Sequence, residues 1–221
     1  MVDVRVVRVF ADRAGAHGNL LGIVADGTQV PQDDRLRFAE KVGYSATVFI
    51  DDVQCGAIRI YTPAVELAFA GHPLVGIAWA MDRESMVLRP PGGDVPAWRE
   101  GEMYWVNAAL AASPPWWHER LESSAAVAAL DGPLHVRQDA AQLWAWEDEA
   151  AGRIRARVFA GRLGIFEDEA CGSASMRLAA ALGRELTVRH GNGSIIFARP
   201  GVAPGTADVG GRVVDCFVRE L

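Results

Sequence analysis

Lysine is almost missing from this chain: Lys41 is the one lysine among 22 basic residues. Basic residues do not outnumber acidic ones either. Twenty-eight aspartates and glutamates leave a formal charge of −6, so no broad positive field exists to hold a nucleic-acid backbone, and no nucleic-acid partner is expected. Cysteine is scarce as well. Cys55, Cys171 and Cys216 are three in number, with no CxxC pair, which argues against a disulfide framework and a structural zinc and points to a reducing, cytoplasmic setting. No apolar run reaches the ~18 residues of a membrane span. The longest, residues 67–81, is broken by Gly71, His72, Pro73 and Gly76, so no membrane partner is expected. The opening MVDVRVVRVF alternates like a strand and lacks the apolar core of a secretion signal. Motifs for dinucleotides, phosphates, zinc proteases and serine hydrolases are all absent.

What remains is an ordinary globular composition, half hydrophobic and 23% charged, over 221 residues. That length buries a sizeable core without disulfides. Period-two patterns predict strands at 4–10, 20–25, 47–51, 57–62, 102–108, 135–136, 142–146 and 154–159. A hairpin is expected over 186–199, turning at Gly191-Asn192-Gly193, and a closing strand over 212–218. Helical spacing predicts helices at 33–42 and 121–130. Two further helices are of a different kind. One follows His72 and runs almost wholly apolar from Leu74 to Met81; the other opens at Cys171-Gly172-Ser173-Ala174 and runs to Gly183. A helix with no polar face must be enclosed on all sides. The least regular stretch, 89–100, with three prolines and two glycines, reads as a crossing between domains. The pattern is α+β: two halves, each a sheet wrapped around a helix.

The two enclosed helices locate the chemistry. Gly71 and Gly172 stand at their mouths, where unpaired backbone N–H groups favour an anion; glycine at those places also simply permits a tight turn. If the halves face each other, both helix ends point into one cleft, which suits a small carboxylate substrate. His72, beside such an end, is expected to have its pKa lowered by the dipole and to serve as donor or acid/base group, or else to be a hydrogen-bonded structural histidine. Asp168 lies in the acidic tract 167–169 just before the second helix, where capping accounts for one of three carboxylates. Cys171 at that helix end is either a thiol of depressed pKa, fit to move protons, or a small buried residue.

Ordered motifs then resemble one family. Gly18-Asn19-Leu20-Leu21-Gly22, Ser45-Ala46-Thr47-Val48-Phe49, Phe69-Ala70-Gly71-His72-Pro73 and Glu167-Asp168-Glu169-Ala170-Cys171-Gly172-Ser173-Ala174 are similar to the signatures of the PhzF-like proteins of phenazine biosynthesis. The resemblance implies the diaminopimelate-epimerase-like fold: two similar domains, each a curled, barrel-like sheet around a central helix, here 1–100 plus 212–221 and 101–211, with the site between them. It implies a cofactor-independent isomerase that moves a proton along a conjugated acid, typified by the trans-2,3-dihydro-3-hydroxyanthranilate enzyme, and a homodimer. The Trp116-Trp117 pair is a second hint of an interface. Phenazine precursors or unsaturated alkylproline precursors would be substrates of the expected kind. By carry-over His72 and Asp168 act on the substrate, while Asn19, Ser45, Gly71, Cys171, Gly172, Ser173 and His190 bind it.

One position departs from the pattern. The family's catalytic glutamate falls at Ala46, and alanine moves no proton. Either the residue was substituted to silence the enzyme, or the proton work has passed to Asp168, His72 or Cys171, or the protein binds without transferring protons. Glu169 stands where the family has proline, and Cys171 where it has threonine. Cys171 also resembles one of the two cysteines of the related amino-acid epimerases, but the matching first position is Ala70, so a two-thiol site cannot be assembled. A racemase using Cys171 alone and a silent small-acid-binding protein are the rival readings.

Overall fold

The computed structural model describes residues 1–135 and 140–221. The chain begins with β1 (Asp3–Ala11), β2 (Asn19–Val24), α1 (Arg35–Val42), β3 (Ala46–Asp52), β4 (Ala57–Tyr61), β5 (Glu66–Leu67) and α2 (Gly71–Met81). β6 (Ser85–Leu88), β7 (Val95–Glu100), β8 (Met103–Ala109), β9 (Trp117–Arg120), α3 (Ser124–Ala128), β10 (Ala141–Asp148), β11 (Arg153–Ala160) and β12 (Ile165–Asp168) follow. The chain closes with α4 (Gly172–Leu182), β13 (Leu186–His190), β14 (Ser194–Pro200) and β15 (Thr206–Glu220).

One continuous path of hydrogen-bonded strands runs β5-β4-β3-β2-β1-β15-β14-β13-β11-β10-β9, with β12 on β11 and β6-β7-β8 joined through β8 to β15. β15 is the splice. Its first part, residues 206–211, pairs antiparallel with β8 and, over 207–210, with β14; from Arg212 onward it pairs with β1. The sequence predicted only 212–218. The missed part passes through Gly210-Gly211, low in β-propensity, where a side chain would drive into Trp105 or Phe10.

Three other expectations change. The stretch 89–100, read as irregular, contains β7, whose Val95 and Ala97 are buried and which pairs with β6 and β8; Pro96 sits in it at an exposed position. The helix expected over 121–130 shrinks to α3, whose Ser123 hydroxyl accepts from the Ala126 N–H. The strand expected at 135–136 ends outside the described residues, and His135 itself lies in no strand.

Both enclosed helices form as expected. α2 buries Gly71 and every residue from Pro73 to Ala78, and α4 buries Gly172, Ala174, Ser175, Met176, Leu178 and Ala179. A single core joins Leu74, Val75 and Ile77 of α2 to Met176 and Leu178 of α4 through strand residues such as Val9, Val106, Ile196 and Val209. At ~1.5–3 kcal/mol for each large aliphatic fully buried, this shared core drives the two sheaths together. No helix of the described residues is long and apolar enough to cross a membrane.

Candidate functional site at the facing helix ends

The two helix starts meet. A Cβ built on Gly71 would lie 3.5 Å from the Ser173 nitrogen and 3.6 Å from Gly172. Neither start has a side-chain cap: Ala70 precedes α2, and Cys171 precedes α4 without accepting from its first turn. Each therefore leaves first-turn amides without a capping side chain, with the positive ends of both helix dipoles directed to one place.

Phe10 props up this arrangement. It takes a left-handed backbone (φ 64°) at a bulge in β1, a costly conformation for a residue with a side chain. Its fully buried ring lies 3.2 Å from where a Cβ on Gly172 would sit. Glycine at 172 is thus favoured by tight packing against the ring, and Gly211 makes room on the ring's other side.

His72, in the first turn of α2, lies partly exposed beside Ser45. The Ser45 hydroxyl donates to the Leu20 carbonyl at 2.9 Å and meets His72 Nε2 at 3.4 Å. Because the hydroxyl hydrogen is already placed, Nε2 is the ring's donor, and Nδ1 keeps its lone pair. Burial pushes the imidazole down to about 4, with the Asp168 charge offsetting part of that. The direction is the expected one, but its cause is desolvation.

Ala46, next to Ser45, is completely buried in the central core at the start of β3. Any carboxylate introduced there would begin enclosed.

The acidic tract was expected to supply a helix cap, and it supplies none. Glu167 forms a two-point ion pair with Arg157 at 2.6–2.7 Å. Asp168 Oδ1 accepts from Asn19 Nδ2 at 2.8 Å and from the Ala170 N–H at 3.2 Å. Glu169 turns to the β13–β14 hairpin, accepting from the Asn192 N–H, Asn192 Nδ2 and the Ser194 hydroxyl. The buried Asn19 amide also reaches the Ala170 carbonyl at 3.1 Å. It fastens the segment before α4 to the beginning of β2.

Of the two readings of Cys171, the burial favours the small buried residue. Its thiol, buried and 3.5 Å from the Ser173 hydroxyl, has its pKa pushed well up by burial, with the negative Asp168 second. It stays a thiol at neutral pH and is a poor proton-transfer base. His190 is fully buried too. Its Nδ1 donates to the Glu169 carbonyl at 2.9 Å, its Nε2 has no partner, and burial lowers its pKa. It backs the site from behind.

Trp116 is the residue that sequence reasoning placed elsewhere. Its indole N–H donates to the Ser173 hydroxyl at 3.0 Å, so it borders the start of α4, while Trp117 is 59% exposed. The available signal was the pairing of an indole donor with a serine at a helix start, which no linear spacing reveals. Of the expected residues, Asn19 bonds Asp168, Cys171 meets Ser173, Gly71 meets Gly172 and Ser173, and Ser45 meets His72, which feels the Asp168 charge.

Comparison with known proteins agrees with this fold. A family model described as "Phenazine biosynthesis-like protein" matches residues 7–140. The trans-2,3-dihydro-3-hydroxyanthranilate isomerase of Pseudomonas aeruginosa is 30% identical over 152 residues, covering 59% of this chain and 54% of that protein. The chain spans from about a quarter to about half the length of the curated relatives it matches. Among solved structures, the phenazine biosynthesis protein of the PhzF family from Bacillus anthracis superposes with a TM-score of 0.75 at 17% identity, covering 100% of this chain and 98% of that one. A structure titled a predicted epimerase, from Pseudomonas aeruginosa, gives 0.73 at 21%, covering 100% and 99%. At such identities these structures establish the fold.

Proposed function

The chain belongs to the phenazine biosynthesis-like (PhzC-PhzF) family, and from that premise we propose that it is a cofactor-independent isomerase moving a proton within a small unsaturated carboxylic or amino acid. The observation that carries this reading is the meeting of two uncapped helix starts, with Asp168 and His72 beside them. The amides of Gly71, Gly172 and Ser173 hold the substrate carboxylate. Asp168, aimed by Asn19, removes the proton. The proton held by Asp168 returns to the substrate at a second carbon, with His72, neutral at working pH, beside it. Positioning two groups on one bound substrate in a cleft that excludes water lowers the barrier more than either group's basicity does. The site lies between two units, 1–100 plus 212–221 and 101–211, in a homodimer.

Ala46 bears on this directly. At the position where the resemblance expects a glutamate, a buried methyl group can do no acid/base work, so Asp168 carries it. The same methyl favours the second reading, a protein that binds a small acid without transferring a proton. Burial, which raises the Cys171 pKa, weighs against a single-thiol racemase.

The test is deuterium incorporation by NMR in D₂O with a panel of small unsaturated acids and amino acids, comparing the native chain with Ala46→Glu and Asp168→Asn. Exchange by the native chain, lowered ~10²–10⁴-fold by Asp168→Asn, is the expected result. Tight binding without exchange in the native chain, and exchange in Ala46→Glu alone, would show a scaffold whose acid/base group is missing.

A further inference from the structure

Glu169 lies next to the site without serving the reaction proposed above, and its carboxylate makes more connections than any other in the acidic tract. It accepts from the Asn192 N–H with both oxygens at 2.9 Å, from Asn192 Nδ2 at 2.8 Å and from the Ser194 hydroxyl at 2.6 Å. Having given its hydrogen to Glu169, the buried Ser194 oxygen accepts the Gly18 N–H at 2.7 Å. The Glu169 backbone carbonyl accepts from His190 Nδ1 at 2.9 Å. One side chain therefore joins three segments far apart in sequence: the loop entering β2, the segment carrying Asp168, and the β13–β14 turn.

The neighbouring glycines fit this junction. Gly191, with φ 51°, lies so close to Glu169 that a Cβ there would run into the carboxylate and the Glu169 carbonyl. A Cβ on Gly193 would strike the His17 ring from the same β2 loop. The turn is thus shaped to receive Glu169 on one residue and the β2 loop on another. The ends of this junction are also the supports of Asp168, because Gly18 precedes Asn19, whose amide holds both Asp168 and the Ala170 carbonyl.

We infer that Glu169 is a positioning residue, a latch that fastens the β13–β14 turn and the β2 loop to the segment bearing Asp168 and so fixes the distance between the two halves of the cleft. The latch acts through its oxygen acceptors. A glutamine, which keeps one acceptor oxygen, largely replaces it, and an alanine does not. It does not rest on the proposed reaction, and its test needs no substrate.

Native-state amide exchange is followed by NMR in Glu169→Ala and Glu169→Gln, with the His72 ring titrated in parallel. In the alanine variant the Gly18 and Asn192 amides exchange at least ~10-fold faster, while Val48 and Ile60, remote in β3 and β4, stay within about twofold. The His72 titration moves upward from about 4 as water reaches the cleft. Glutamine restores the two amides to within about threefold of the native rates. If the alanine variant does not fold, Ser194→Ala, which removes only the relay to Gly18, is expected to accelerate Gly18 selectively. Native rates at both amides in folded Glu169→Ala, or a glutamine variant as fast as the alanine one, would overturn the latch.

Discussion

α2 and α4 are the same length, start on glycine, lack a side-chain cap and end on a left-handed residue, Asp82 or Gly183. They differ in what encloses them. α2 is held by apolar contacts almost alone, its buried residues being Gly71, Pro73, Leu74, Val75, Gly76, Ile77 and Ala78. α4 carries polar anchors into its sheath. Arg177 donates to the Leu110 and Ser113 carbonyls and to the Ser113 hydroxyl, and the buried Ser175 hydroxyl accepts from Gln142 Nε2 of β10 at 3.4 Å. The apolar helix presents the titratable group, His72, and the anchored helix presents the hydroxyl, Ser173. An apolar sheath tolerates sliding, since dispersion and hydrophobic contacts are non-directional. Hydrogen bonds to fixed carbonyls are directional and hold one register. The anchored end is therefore the fixed wall against which the other is set.

Three measurements sharpen or break that contrast. The largest effect belongs to Arg177→Met, which strips the Ser113 carbonyl of its guanidinium donor and leaves the Leu110 carbonyl only the Ser113 N–H at 3.2 Å, and should cost about 2–3 kcal/mol in urea unfolding. α2 has no side chain in that role, so a loss below ~0.5 kcal/mol would remove the distinction between the helices. Next come the paired substitutions Gly71→Ala and Gly172→Ala. At 172 the methyl meets the Phe10 ring at 3.2 and 3.3 Å, and overpacking should cost about 1–3 kcal/mol. At 71 its nearest neighbours stand at 3.5–3.6 Å, ordinary contact, so stability should change by less than about 1 kcal/mol. The new methyl nevertheless lies over the Ser173 amide and should weaken binding of a small carboxylate. Equal stability losses at the two positions would mean that Phe10 does not wedge α4.

The smallest effect is a pH dependence. The folded chain holds His72 near 4, below its unfolded value of about 6.5. The unfolded chain therefore binds the proton first. The stability from keeping His72 neutral is complete above about pH 6.5, declines as pH falls toward 4, and then levels off. With the ring partly exposed, the contribution is on the order of 1–2 kcal/mol. His72→Asn should flatten that part of the profile, which half-buried His118 and buried His190, also lowered by burial, otherwise share. An unchanged slope would assign the acid sensitivity to those two.

Most of the architecture was legible in the linear chain because enclosure leaves a compositional mark. A helix apolar on every side has no alternative to a sheath, and glycine before each such helix marked where the sheaths open. β7 was hidden because Pro96 and the two preceding glycines imitate a linker, although an exposed strand position accepts proline. The long β15 was hidden because Gly210 and Gly211 carry no strand signal; they are there to admit Trp105 and Phe10. Among site residues, His72, Asp168 and Asn19 were visible in motifs, whereas Trp116 reached Ser173 only through the fold.

The sequence by itself determined the two enclosed helices, their glycine mouths and the residues placed beside them, since periodicity and composition are local properties. Only the tertiary structure decided which partners Glu167, Asp168 and Glu169 take, and whether the Cys171 thiol is acidic. Those outcomes depend on desolvation and on partners far away in sequence, such as Asn19 and Ser194, and these distances exist only once the chain has folded.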